Sequence, residues 1–245
     1  MIHIPSAERL VKAWEAGMAL PHAARAIELL AAVEPETSRS AAAALSLGER
    51  DRRLLGLRRA LFGPVLDATA GCPGCGDRVE FTVAVESLLV TPPDAPAQPA
   101  VDAAGVSVEF RLPTSADLLA LLRAPSGLTG PALMTRCVTR VVADPAEEAG
   151  AFEAISEAAR DAVASTMAAL DPQADVQLSM SCPSCQHQWS ADFDVVSYLW
   201  SELTAWVRRL LVEVHHLALA YGWREADILA MSSQRRATYL ELIGA

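Results

Sequence analysis

The sequence predicts a mainly α-helical fold with a small β element, and three observations carry that expectation. Alanine and leucine dominate a chain in which only 5% of residues are aromatic, and both residues favour helix. Several segments place apolar residues three and four apart, the spacing that lines one face of a helix. Two short segments instead alternate apolar and polar residues, and they are copies of one another. The first reads Ala70-Gly71-Cys72-Pro73-Gly74-Cys75-Gly76-Asp77-Arg78-Val79-Glu80-Phe81, and the second Met180-Ser181-Cys182-Pro183-Ser184-Cys185-Gln186-His187-Gln188-Trp189-Ser190-Ala191. Continued without gaps, they set Val83 opposite Phe193, Val85 opposite Val195, Ser87 opposite Ser197 and Leu89 opposite Leu199. Each copy therefore reads as a strand, a Cys-Pro-x-Cys turn, a second strand and a helix start. Two such turns can supply four thiolates to one tetrahedral zinc ion. Cys72, Cys75, Cys182 and Cys185 are thus expected to form a split zinc ribbon in a helical body, with one structural Zn2+ per chain. Loss of the metal, or two half-sites completed by other ligands, are the rival readings. The second copy has Gln186 where the first has Gly76, so the match is imperfect. His187 could replace a cysteine, although a solvated turn histidine is the plainer reading.

Residues 1–64 read as an N-terminal helical region. Two helices fill 7–33, broken near Gly17 and Pro21, and a polar, alanine-rich link covers 36–44. Ser46-Leu47-Gly48-Glu49 is a capping box that opens a helix through Leu54, Leu55, Leu57, Leu61 and Phe62, and Gly63-Pro64 stop it. The exposed side of this helix is expected to be basic, through Arg50, Arg52, Arg53, Arg58 and Arg59. Such a run is either a solvated face or a grip for an acidic partner, with Arg50 and Arg53 as candidate contacts.

Residues 65–112 hold the first hairpin, an exposed proline-rich loop at 91–104, and a strand at 106–112 expected to join the hairpin's sheet. Residues 113–173 read as inserted helices: one from Pro113-Thr114 through Leu118, Leu119, Leu121 and Leu122, one after Pro131, and one over 147–170. The second hairpin occupies 174–196. The C-terminal helical region, 197–245, opens with the longest helix, to residue 221. Leu199, Leu203, Trp206, Leu210, Val214, Leu217 and Tyr221 give it one apolar stripe, and Gly222 ends it. Two shorter helices follow, the last capped by Ser232 or Ser233. The five regions are expected to pack as one compact unit.

The net charge of −10 argues against nucleic-acid binding, which needs clustered positive charge. Lys12 is the only lysine among 20 basic residues, a mark of a GC-rich genome. Five cysteines in 245 residues do not make the small, cysteine-dense chain of a disulfide scaffold. The start of the chain lacks the basic and apolar run of a signal peptide. No apolar segment reaches the roughly 18 residues that span a bilayer. A soluble, cytoplasmic protein without membrane insertion is expected. A thioredoxin-type redox role for either Cys-x-x-Cys would need a helix opening at the first cysteine, whereas strand formers flank both. His215-His216 lacks an acidic partner or a nucleophile, and Cys137 sits among Met134, Val138, Val141 and Val142 as a core thiol would. No phosphate loop, catalytic triad or carboxylate pair emerges, so the chain is not expected to be an enzyme.

Two stretches bear a resemblance. One is Gly48-Glu49-Arg50-Asp51-Arg52-Arg53-Leu54-Leu55-Gly56-Leu57-Arg58-Arg59-Ala60-Leu61-Phe62-Gly63, running into the first Cys-Pro-x-Cys. The other is Glu213-Val214-His215-His216-Leu217-Ala218-Leu219-Ala220-Tyr221-Gly222-Trp223-Arg224-Glu225-Ala226-Asp227-Ile228-Leu229, followed by Arg235-Arg236-Ala237-Thr238-Tyr239-Leu240. Together they resemble the baseplate hub assembly chaperones of contractile-tailed (T-even-type) phages, in the form found in phage-tail-like contractile injection systems. Phe110-Arg111-Leu112-Pro113-Thr114 fits as well. The resemblance implies a non-enzymatic chaperone that helps assemble the baseplate around the spike and tail tube, with hub, spike or tape-measure proteins as partners. Helix-in-groove docking would use Trp223, Ile228 and Tyr239, with Leu229 and Leu242 beside them; otherwise these residues complete the core. A permanent baseplate subunit is the alternative. A zinc-ribbon adaptor is a further one, and it would need a basic, aromatic surface where only Arg78, Trp189 and Phe193 lie near.

Overall fold

The computed structural model describes residues 4–34, 36–94, 96, 98–125, 127–143 and 155–244. Its organising element is the longest helix, α9 (Val195–Tyr221), whose Leu199, Leu203, Val207, Leu210, Val214 and Leu217 are buried. Asp194 caps its start by accepting the Ser197 amide, and Gly222 ends it at φ 67°, a left-handed turn that glycine adopts without strain. Trp206, on the predicted stripe, is half-buried, and Tyr221 is exposed.

The N-terminal helices α1 (Ala7–Gly17), α2 (His22–Val33), α3 (Arg39–Ala44) and α4 (Leu47–Phe62) pack on α9. The breaks fall where Gly17 and Pro21 put them. Gly17 has a further reason to be glycine, because a β-carbon there would collide with the Trp200 ring. The link at 36–44 contains α3, a short helix that Ser38 caps. Only half of the predicted capping box forms: the Ser46 hydroxyl accepts the Glu49 amide, but the Glu49 carboxylate turns to Arg52 and Arg53.

The basic face expected on α4 is not a free face. Arg50 is 5% exposed and Arg58 3%. Arg50 donates to Asp51 at 2.7 and 2.9 Å and to Ser115 at 3.4 Å. Arg58 donates to Glu202 of α9 at 2.6 and 2.8 Å and to the carbonyls of Gly63 and Val65. Burying a guanidinium is tolerable only when its donors are satisfied, and these pairs satisfy them.

A second core lies apart from the first. Strands β3 (Ala100–Ala103), β4 (Val106–Phe110) and β5 (Val138–Ala143) form an antiparallel sheet in the order β3-β4-β5. Val108, Phe110, Cys137 and Val141 pack there against Ala159, Val163 and Met167 of α8 (Glu157–Leu170). The strand at 106–112 was expected to join the first hairpin; it pairs with β3 and β5 instead, where Val108 and Phe110 are buried against Val141 and α8. Residues 100–103, read as loop, are strand β3. The part of the predicted third helix at 147–154 lies outside the described residues. Helices α6 (Ser115–Leu122) and α7 (Gly130–Cys137) join the two cores. At the start of α6, Asp117 caps the Thr114 amide and takes Arg111 at 2.6 and 2.7 Å. The stretch 110–114 meets the start of α4, where the Leu47 amide donates to the Pro113 carbonyl at 3.0 Å.

The two hairpins are β1 (Val65–Gly71) with β2 (Arg78–Ala84), and β6 (Gln177–Ser181) with β7 (Gln188–Asp192). Each sets a helix going: α5 (Val85–Leu88) after the first and α9 after the second. Helices α10 (Glu225–Leu229) and α11 (Ser233–Leu242) close the described chain, with Ser232 as the cap of α11.

Candidate metal centre

Both Cys-Pro-x-Cys turns repeat the same backbone bonds. In the first, the Cys72 amide donates to the Asp77 carbonyl at 2.8 Å and the Gly76 amide to the Cys72 carbonyl at 2.8 Å. In the second, Cys182 donates to His187 and Gln186 to Cys182, both at 2.9 Å. Gly76 sits at φ 79° and Gln186 at φ 61°. The one apparent mismatch of the repeat is therefore a shared left-handed position, taken freely by glycine and under strain by glutamine. Cys72 and Cys182 follow strands, not helix starts, so neither pair has the geometry of a thioredoxin-type site.

The hairpins meet tip to tip. Cys72 Sγ lies 3.6 Å from Cys185 Sγ, and Cys75 Sγ lies 3.6 Å from Cys182 Sγ. All four sulfurs fall within 4.8 Å of one another. The first cysteine of each turn faces the second of the other, a two-fold arrangement like that of a symmetric dimer. These are not disulfides, which need about 2.05 Å; all five cysteines are free. A tetrahedral ion with metal–sulfur bonds of about 2.3 Å places its sulfurs about 3.8 Å apart. The donor set fits such an ion.

Packing holds the tips in place. Val79 and Met180 are buried with Cys72 and Cys182, and Phe81, Leu178 and Trp189 pack around them. Gly74 lies under His187, where a β-carbon would stand 3.0 Å from the imidazole Cβ and Cγ. His187 is exposed, stacks on Trp189 with ring centres 6.1 Å apart, and is not in the sulfur cluster.

The thiols are unequal. The Asp77 amide pulls Cys75 down, but the Cys185, Cys182 and Cys72 thiols outweigh it and push Cys75 up to about 12. The Cys185 and Ser184 amides hold Cys182 down at about 7. A bound cation favours the thiolate form of its cysteine ligands. The amides of Asp77, Ser184 and His187 are participants that residue types alone do not reveal.

The other candidate residues lie elsewhere. Arg53, one-third exposed, is spent on Glu49 and Glu34 at 2.6 and 2.7 Å. Arg50 and Ile228 were candidate partner contacts, but both are buried. Arg50 is enclosed by Asp51 and Ser115, and Ile228 completes the core under α9. Trp223 and Tyr239 are half-buried: Trp223 stacks on Tyr221 at 4.4 Å and meets Tyr239 edge-on at 4.8 Å. His215 is exposed and His216 half-buried, with ring centres 5.7 Å apart. Cys137 is fully buried, and burial pushes its thiol up to about 11. Among the described residues no helix is long and apolar enough to cross a membrane.

The fold and the cysteine cluster meet a match from known proteins at this point. No curated protein and no solved structure matches the chain. A family described as T4 bacteriophage base plate protein matches residues 25–199. That span runs from α2 to the start of α9, takes in both hairpins and covers well over half of the sequence. The chain belongs to the T4 bacteriophage base plate protein family.

Proposed function

We propose that this chain is a non-enzymatic assembly factor for the baseplate hub of a phage-tail-like contractile injection system, built around a structural zinc ion. The family match over residues 25–199 carries the baseplate role. The likeness of residues 48–63 and 213–240 to hub assembly chaperones supports the finer reading. Cys72, Cys75, Cys182 and Cys185 would hold the zinc, which supplies no reaction but fastens the hairpins to each other. Four protein ligands leave no position for a substrate, which is the form of a structural site. With the clasp closed, regions 1–64, 65–112, 113–173, 174–196 and 197–245 act as one body.

Hub, spike or tape-measure proteins are the proposed partners, met in the cytoplasm before the particle is complete. Trp223 and Tyr239 offer an aromatic edge to them. The test is co-expression of the tagged chain with its whole gene cluster. Recovery of a hub, spike or tape-measure component from intermediates, with the chain absent from purified mature particles, is the expected result. A fixed copy number in mature particles would make it a permanent subunit. Retrieval of no baseplate component at all would remove the assembly role.

A further inference from the structure

Helix α9 is 27 residues long and buries one side only. Opposite its core stripe lie Ser201, Ala205, Arg208, Val212, His215 and Leu219, all exposed and spaced alternately four and three apart. That is the spacing of the two seam positions of a coiled coil. One column, Ala205, Val212 and Leu219, is apolar; Val212 is 54% exposed and Leu219 78%. The other column carries Arg208 and His215. Single exposed apolar residues are ordinary, so the argument rests on this register together with the charge.

The charge is the reverse of the chain's. In a protein of net charge −10, the one formal charge within the seam is positive, Arg208, with Arg209 on its flank; Glu202, seven residues before Arg209 on that flank, is held by Arg58. Arg208 and Arg209 have no ion pair among the described residues; the exposed Arg78, Arg123, Arg224 and Arg235 have none there either, but Arg208 and Arg209 stand beside the apolar column. The two carboxylates of α9 are taken by other elements: Glu202 by Arg58 and Glu213 by Arg236. A seam with its own apolar column and unanswered cations is complementary to one kind of surface.

We propose that this seam docks an acidic amphipathic helix of a partner protein, which lays its apolar stripe along Val212 and Leu219 and its carboxylates on Arg208 and Arg209. A second copy of the chain is the poorer occupant. Pairing α9 with itself in parallel register sets Arg208 against Arg208, and the flanking carboxylate Glu202 is already engaged by Arg58. The seam lies beyond residue 199, the end of the family match. The inference stands apart from the zinc and from the chaperone role.

The probe is a fluorescent four-heptad peptide with leucine at the seam positions and glutamate beside them, titrated into the full-length protein. A lysine-flanked peptide is the comparison. The acidic peptide is expected to bind at least about tenfold more tightly, and its affinity to fall with salt. Val212→Asp and Leu219→Asp should each weaken it at least about tenfold with unchanged circular dichroism, since both side chains are exposed, and Arg208→Glu should narrow the preference. Equal binding of both peptides, or undiminished binding to Val212→Asp, would overturn the proposal. So would a concentration-dependent dimer in sedimentation that Val212→Asp abolishes, which would assign the face to a second copy.

Discussion

Replacing Arg58 by methionine tests whether the arginines of α4 hold the fold together or face outward. The guanidinium makes four bonds: two to Glu202, one to the Gly63 carbonyl and one to the Val65 carbonyl. It thereby ties α4 to α9 and to the first residue of the cysteine hairpin. Methionine keeps the buried apolar stem and deletes every donor. Removing one member of a buried ion pair costs about 3–5 kcal/mol, because the remaining charge is stranded. Glu202 retains 25% side-chain exposure, so water recovers part of that loss and the lower end applies. The expected destabilisation is about 3 kcal/mol, or a fall in Tm of roughly 6–12 °C for a chain of this size. Urea unfolding followed by tryptophan fluorescence measures it, and Glu202→Gln should cost less because its amide oxygen still accepts. A loss below about 1 kcal/mol, the range of exposed pairs, would refute the reasoning and return Arg58 to the surface.

Three further outcomes follow from local geometry. Burial would raise the Asp117 carboxyl, but Arg111 and the Thr114 cap hold it down at about 2. Its folded-state pKa lies below the unfolded value, so it stabilises above about pH 4 and that gain disappears as pH falls toward 2. Asp117→Asn should cost on the order of 2 kcal/mol at neutral pH and flatten the decline of stability between those limits, as read by denaturant titration. Gly48 lies against Asp171, which accepts its amide at 2.9 Å. Gly48→Ala should therefore destabilise by about 1–2 kcal/mol despite the better helix propensity of alanine, and a gain in thermal stability would contradict it. Gly76→Val, at φ 79°, should lose about 1–2 kcal/mol in the same assay, while Gln186→Gly should stay within about 0.5 kcal/mol of wild type or gain.

Local signals were legible where the chain acts locally. The duplicated hairpins, the caps at Ser46, Thr114 and Ser232, the stop at Gly63 and the stripe of α9 all follow from residues close in sequence. The cysteine cluster was legible because its two halves are copies. Pairing between distant segments was not legible. Strand β4 alternates as any strand would, and nothing in that alternation chooses β5 over the hairpin as its neighbour. The short α3 sits on serine and alanines that read equally as a link. Arg50 and Arg58 resemble surface arginines until Ser115 and Glu202, far away in the chain, are brought against them. Ile228 looks like an exposed anchor until α9 covers it. The register of Val212 and Leu219 shows the converse: apolar spacing on a helix does not say which stripe finds a partner within the same chain.

The most direct measurement is metal content and sulfur coordination of the anaerobically purified full-length protein. One zinc per chain, with an X-ray absorption spectrum fitting four sulfurs at about 2.3 Å, is the expected result, and Cys185→Ser should diminish both. Metal-free protein with the same stability, or a zinc shell containing nitrogen or oxygen, would contradict a clasp made by Cys72, Cys75, Cys182 and Cys185.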